Sequence, residues 1–252
     1  MSATINASGV SATPQAAPLP VMASVIAPAN PLIPLKGLRG TIARNMTAGW
    51  QAPRVAMGAE VDMSTCLARL VELQAKAGAE TRITVTAIVL RAVALTLREH
   101  PKLNALMREG GIEPMAQIHL GLAVALDDGL AVPVVRDADT KPVEALAAES
   151  RALATGTRAG TLPPKAYQSA TFTVTNLGMT GIDWFTPILN PPQVGILGLS
   201  RVVDRAVVRE HQIVIAPMTT LTLVFDHRAV DGHPAALFLR DLRTRLESGV
   251  GL

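Results

Sequence analysis

The chain has 252 residues, almost half of them hydrophobic, but only 3% aromatic and with a single cysteine, Cys66. That composition supports a sizeable aliphatic core in one large domain or two small ones, and it excludes an internal disulfide. The net charge of +3 comes without a Lys/Arg run, which argues against a nucleic-acid surface, and the longest apolar stretch, residues 83–97, is interrupted by Arg91 and too short for a membrane span.

Residues 1–35 contain no Asp, Glu, Lys or Arg, and carry six prolines among alanines and serines. They read as an extended linker or tail, so the folded domain is expected to span residues 36–252. The N-terminus has neither the basic region of a signal peptide nor the arginines of a transit peptide, so a cytoplasmic location is expected. Residues 38–50 predict a helix and 55–61 a strand. Asp62 or Ser64 can cap a helix with Leu67, Leu70 and Val71 on its apolar face. Cys66, near the start of that helix, reads as a small buried hydrophobe. Residues 86–99 predict a long buried helix ended by Pro101. Strands are expected at 119–126, 130–135, 171–175, 194–199, 207–215 and 219–225, with an amphipathic helix at 143–153 between them. Asp127-Asp128-Gly129 is a hairpin signal. A last helix is expected from Pro234, with Phe238, Leu242 and Leu246 on one face, stopping before Gly249. The pattern is α+β with a large mixed or antiparallel sheet. It has no dinucleotide-binding or P-loop glycine motif.

The stretch FDHRAVDGHP, residues 225–234, gathers the titratable groups. His227 follows a β-prone run, and a neutral imidazole suits proton acceptance near neutral pH. Asp231-Gly232 can equally be a turn and helix N-cap, with His227 a satisfied histidine. Asp226, Arg228 and His233 receive no role. His100 and His211 read as surface residues, and His119 opens a strand. His227 and His233 have no cysteine partners at a zinc-like spacing, so no metal is expected. A second segment, TFTVTNLG at 171–178, alternates like a strand and ends in Thr175 and Asn176. The Thr175 hydroxyl could donate to a developing oxyanion, or simply stand on the outer face of a strand.

FDHRAVDGHPAALFL resembles the active-site motif of the dihydrolipoyl acyltransferases of 2-oxoacid dehydrogenase complexes, His-Arg-x-x-Asp-Gly followed by a helix. LKGLRGTIARNMTAGW, GLAVALDDGLAVPVVRDAD and ATFTVTNLGMTGIDWFTPILNPPQVGILGLSR resemble further stretches of that family, in the same order, over about residues 36–247. The resemblance implies a chloramphenicol acetyltransferase-like two-layer α/β sandwich with a large mixed sheet. It also implies a homotrimer with active sites between subunits; family trimers assemble further into cubic or icosahedral cores. The implied reaction moves an acyl group, with acetyl favoured, between dihydrolipoamide and coenzyme A. His227 would be the general base and Thr175 the oxyanion donor from the neighbouring subunit. Asp231 would support the site's architecture through an arginine, Arg39 before Arg44, together with Gly232.

Family members carry lipoyl and subunit-binding domains, and a 35-residue tail is too short for a domain with a lipoylated lysine. The sequence can be a fragment, the lipoyl domain can sit on a separate polypeptide, or the acceptor can be a different thiol. The lipoyl group is expected in trans from a lipoyl-bearing protein, with decarboxylase and dihydrolipoamide dehydrogenase subunits as further partners. Two other readings stand beside this one: a non-catalytic scaffold subunit, and a stand-alone coenzyme A-dependent acetyltransferase acting on a small molecule.

Overall fold

The computed structural model describes residues 32–78, 81–127 and 129–252. Residues 1–31, most of the expected linker, lie outside them. In chain order the elements are helix α1 (Gly37–Gln51), strand β1 (Arg54–Asp62), α2 (Ser64–Ala77), α3 (Val85–Glu99), β2 (Ala105–Arg108), β3 (Gly111–Pro114), β4 (Leu120–Leu122), β5 (Val124–Leu126), β6 (Gly129–Ala131), β7 (Val134–Val135), α4 (Val143–Arg158), β8 (Phe172–Asn176), β9 (Gly195–Leu199), β10 (Val203–Arg209), β11 (Gln212–Asp226) and α5 (Gly232–Ser248). The α+β expectation is met, with one mixed sheet as its frame.

That sheet runs β1-β11-β9-β8-β4-β7, with β10 paired to β11. β8 lies parallel to both β9 and β4, while the remaining pairs are antiparallel. Side chains alternate across a strand, so each strand feeds two layers. Leu221, Leu223 and Phe225 of β11, Leu197 and Leu199 of β9, and Phe172 and Val174 of β8 join the large core built with α2, α3, α4 and α5. The intervening Ile196 and Val224 point the other way and pack with Leu189 and Ala52. β11 is therefore covered on both faces, and residues 221–226 are all buried even though Thr222 and Asp226 among them are polar.

The helices obey local rules. Thr84 caps α3, its hydroxyl accepting the Ala87 N–H at 3.2 Å. The Asp62 carboxylate accepts the Ser64 N–H at 2.9 Å at the start of α2, and also pairs with Arg209. α5 ends at Gly249 in the left-handed region (φ 73°), as the glycine there requires. Its Phe238 is fully buried against Phe172, with ring centroids 6.0 Å apart.

Three boundaries differ from expectation. The strand expected at 207–215 is two strands, because the chain turns at Glu210 and His211, both with positive φ (49° and 64°). The strands expected at 119–126 and 130–135 each split. β4 and β7 stay in the main sheet, whereas β5 and β6 form a separate hairpin whose two-residue connection includes the expected Asp127 turn position. The hairpin β2–β3, turning at Gly110 (φ 83°), was not expected at all. Its signal is a single Glu-Gly between two short runs.

Candidate active site

The stretch at residues 225–234 is the connection from the central strand β11 into α5. β11 lies between β1 and β9, so its last residue, Asp226, is 2% exposed. His227 comes next and emerges at the surface. Its backbone N–H donates to the Pro53 carbonyl at 3.0 Å, which ties the turn to the start of β1. Its ring lies 5.9 Å from that of Phe225. Among the described residues the imidazole takes no hydrogen bond, so both ring nitrogens remain available for proton exchange.

Asp231 occupies the N-cap position of α5 with an extended backbone, and its carbonyl accepts the Ala235 N–H at 3.3 Å. Its carboxylate makes no capping hydrogen bond and is exposed. The pairing expected with Arg39 or Arg44 is not formed within one chain: Arg39 is exposed on α1, and Arg44 donates to the Thr41 hydroxyl at 3.0 Å. Gly232 is the first residue of α5. A Cβ there would meet Met57 at an ordinary 3.5 Å, so packing within the chain does not demand glycine.

Thr175 is half-buried near the end of β8. It is paired to Gly198 of β9, which is paired to Thr222 of β11. Gly198 is required by close approach, since a Cβ there would meet the Phe185 ring at 2.9 Å. The next residue, Asn176, is tied down: its side chain donates to the Thr86 hydroxyl at 2.9 Å and accepts the Gly178 N–H at 2.7 Å. The end of β8 is thus fixed against α3.

The register separates the two candidate catalytic groups. Thr175 is level with Thr222, five residues before His227 and two strands away. Strand rise and spacing put the two roughly 20 Å apart, far beyond hydrogen-bond reach. One chain therefore cannot bring His227 and Thr175 onto one substrate atom.

A cleft of about 540 Å³ lies between α1, the β5–β6 hairpin and residues 190–193, lined by Ile42, Leu130, Tyr167 and Gln193 among others. Gln193 accepts the Thr173 hydroxyl at 2.6 Å. Its neighbour Val194 accepts the Asp226 N–H at 2.9 Å, so this edge of the cleft is level with the His227 turn.

The remaining histidines lie elsewhere. His100, expected at the surface, is largely buried: it follows α3 and is wedged against α5, 5.8 Å from the Phe238 ring and 2.9 Å from Asp241. The hydrogen bond from Arg240 holds the Asp241 carboxyl below its ordinary range, and His100 adds to this against the opposing effect of burial. His119 Nδ1 accepts the Asp137 N–H at 3.0 Å, a structural contact. Cys66 is buried in the core and desolvation pushes its thiol up to about 12, so it is inert, as expected. Asp226 and Arg228, to which the sequence assigns no role, form a bidentate ion pair beneath His227. Their signal was only an acid at a strand end with an arginine two residues on.

Residues 28–251 match the family model of the 2-oxoacid dehydrogenases acyltransferase catalytic domain. The chain belongs to that family. The dihydrolipoyllysine-residue acetyltransferase component of the acetoin cleaving system of Bacillus subtilis (strain 168) is 39% identical over 223 residues, 87% of this chain and 56% of that one. The chain spans about half the length of the curated relatives it matches. A crystallographic and enzymatic study of the Azotobacter vinelandii dihydrolipoamide acetyltransferase concerns the role of a serine, a histidine and an asparagine in its catalytic mechanism. That structure superposes with a TM-score of 0.84 at 32% identity, covering 91% of this chain and 96% of the other. The cubic core of a pyruvate dehydrogenase multienzyme complex gives the same TM-score at 33% identity, with the same coverage. As a member of this acyltransferase family, the chain has the α/β sandwich that its sequence motifs imply.

Proposed function

We propose that this acyltransferase domain moves an acetyl group between a dihydrolipoyl thiol and coenzyme A, at a site assembled from two copies of the chain. The observation that carries the reading is a spacing. The serine, histidine and asparagine of the Azotobacter enzyme lie 52 and four residues apart in sequence. Thr175, His227 and Asp231 lie at the same intervals and in the same order. Threonine keeps the hydroxyl of serine, and Asp231 keeps the shape of asparagine while adding a charge.

In this reading His227 removes the proton from the attacking thiol. A free thiol, with a pKa of about 8.5, is mostly protonated at neutral pH, so a positioned base raises the thiolate fraction where it is needed. The thiolate adds to the thioester carbonyl, forming a carbon–sulfur bond and a tetrahedral oxyanion. The Thr175 hydroxyl of a neighbouring copy donates to that oxyanion. Collapse breaks the original carbon–sulfur bond, and the imidazolium returns its proton to the departing thiolate. The roughly 20 Å that separate Thr175 from His227 in one chain support a second copy as the source of the hydroxyl.

We infer a trimer as the working unit, with a lipoyl-bearing protein as the acyl carrier and the decarboxylase and dihydrolipoamide dehydrogenase of a 2-oxoacid dehydrogenase complex as partners. Names of relatives in acetoin-cleaving and pyruvate dehydrogenase systems support acetyl as the group carried. The test mixes the purified chain with acetyl-coenzyme A and free dihydrolipoamide and follows thioester formation, with a His227→Ala variant alongside. Turnover by the parent and its loss in the variant are expected. A folded trimer without turnover would overturn this reading for these substrates.

A further inference from the structure

The turn that carries His227 is organised around a single buried carboxylate. Asp226 is 2% exposed at the end of β11, opposite Arg54 of β1. Its carboxylate accepts Nε of Arg228 at 3.0 and 3.2 Å, Nη2 at 2.6 Å and the Arg228 backbone N–H at 3.0 Å. Its backbone carbonyl accepts the N–H groups of Ala229 and Val230 at 3.0 and 3.1 Å. One residue therefore gathers Arg228, Ala229 and Val230, with His227 looped out between. A buried carboxylate needs a cation and hydrogen bonds, and the planar fork of arginine supplies both in one fixed geometry. Among the described residues the His227 ring has no hydrogen bond of its own, so its direction depends on that turn.

We propose that the Asp226–Arg228 pair is a positioning device that sets the direction of the His227 imidazole for proton transfer. Arg228 is half-exposed, yet the Nε and Nη2 edge of its guanidinium is committed to Asp226. The role rests on the reading of His227 as the base. It differs from that of a substrate-binding arginine, which would act on affinity and independently of Asp226.

The test uses the full chain in four variants, Asp226→Asn, Arg228→Gln, Arg228→Lys and the double variant Asp226→Asn/Arg228→Gln. It measures kcat and KM for coenzyme A, and also the imidazole resonances of His227 in histidine-labelled protein. Each single neutral variant is expected to lower kcat by about a hundredfold, as misplacement of a reacting group does. The double variant is expected to be no worse than either, because both changes break one unit. Arg228→Lys keeps the charge but not the fork, and is expected to stay at least about tenfold below the parent. In all four the His227 resonance is expected to broaden or split. Additive losses, or a change confined to KM for coenzyme A, would overturn the proposal, as would an unmoved His227 resonance in the two Arg228 variants. The exposed position of Arg228 keeps those two variants usable even if Asp226→Asn misfolds. The resonance is read without turnover, so a parent chain inactive with these substrates would sink the assignment of His227 as base while the positioning of its ring is still tested.

Discussion

Thr175 and His227 are carried by strands of one sheet but are staggered along it: Thr175 is level with Thr222 of β11, whereas His227 lies just past Asp226, the last residue of that strand, and two strands away. If both serve one reaction, each must act across a contact between copies. Thr175→Ala is expected to lower kcat by about a hundredfold or more, the usual effect of losing one oxyanion donor. His227→Ala is expected to cost about a hundred- to ten-thousandfold. Equal amounts of the two inactive chains, unfolded and refolded together, should regain activity. Random mixing in a cyclic trimer leaves about one quarter of the sites with an intact His227 facing an intact Thr175. Recovery near that fraction, measured as specific activity, supports the shared site. No recovery in mixed trimers would place both groups within one chain.

Phe238 joins the site to the core. It is fully buried on α5, against Phe172 of β8 and the edge of His100. Phe238→Ala is expected to lower stability by about 3–5 kcal/mol, through lost burial and the cavity left behind. A denaturant midpoint that falls without a change in slope would show this. A loss under about 1 kcal/mol would mean that the core collapses around the gap.

The sequence made the central frame readable because burial there is continuous. β8, β9, the C-terminal half of β11, α3 and α5 lie close to where periodicity and caps put them. What it could not show is how single residues are used. Asp226 and Asp231 are both aspartates in one turn, and no local signal separates them. Only the position of Asp226 at the end of a strand covered by β1 and β9 makes it the buried one. Likewise, the distance between Thr175 and His227 is a property of strand order, which depends on crossovers that no local pattern encodes. His100 read as a surface residue because Glu99, Pro101 and Lys102 around it conceal its packing on α5.

The β10–β11 turn shows the same limit at a point that can be tested. Glu210 and His211 both adopt positive φ (49° and 64°) where Asn-Gly is the usual choice, so the turn is invisible to a rule that looks for those residues. Left-handed backbone costs ordinary residues on the order of 1 kcal/mol or more each. The double change Glu210→Asn/His211→Gly is therefore expected to raise stability by about 1 kcal/mol, since it keeps the backbone and relieves the strain at both positions. Thermal unfolding would read this as a higher midpoint. An unchanged or lower midpoint would show that the two side chains make compensating contacts.

Cys66 gives a prediction with a definite sign in pH. Its thiol is buried on α2 and desolvation pushes it from 9.0 up to about 12. The folded chain therefore holds this proton at a pH where the unfolded chain has lost it. Below about pH 9 both states keep the proton and the thiol contributes no pH dependence. Between about pH 9 and 12 the unfolded state binds fewer protons than the folded one, so stability falls as pH rises through that window. The same burial makes the thiol unreactive. Iodoacetamide at pH 8 is expected to leave the folded protein unmodified and to label Cys66 fully once denaturant unfolds the chain. The Cys66→Ala variant, lacking the titrating group, should lose less stability between pH 9 and 11 than the parent. Fast labelling of the folded chain, or parallel pH profiles for the two proteins, would mean that α2 opens to solvent.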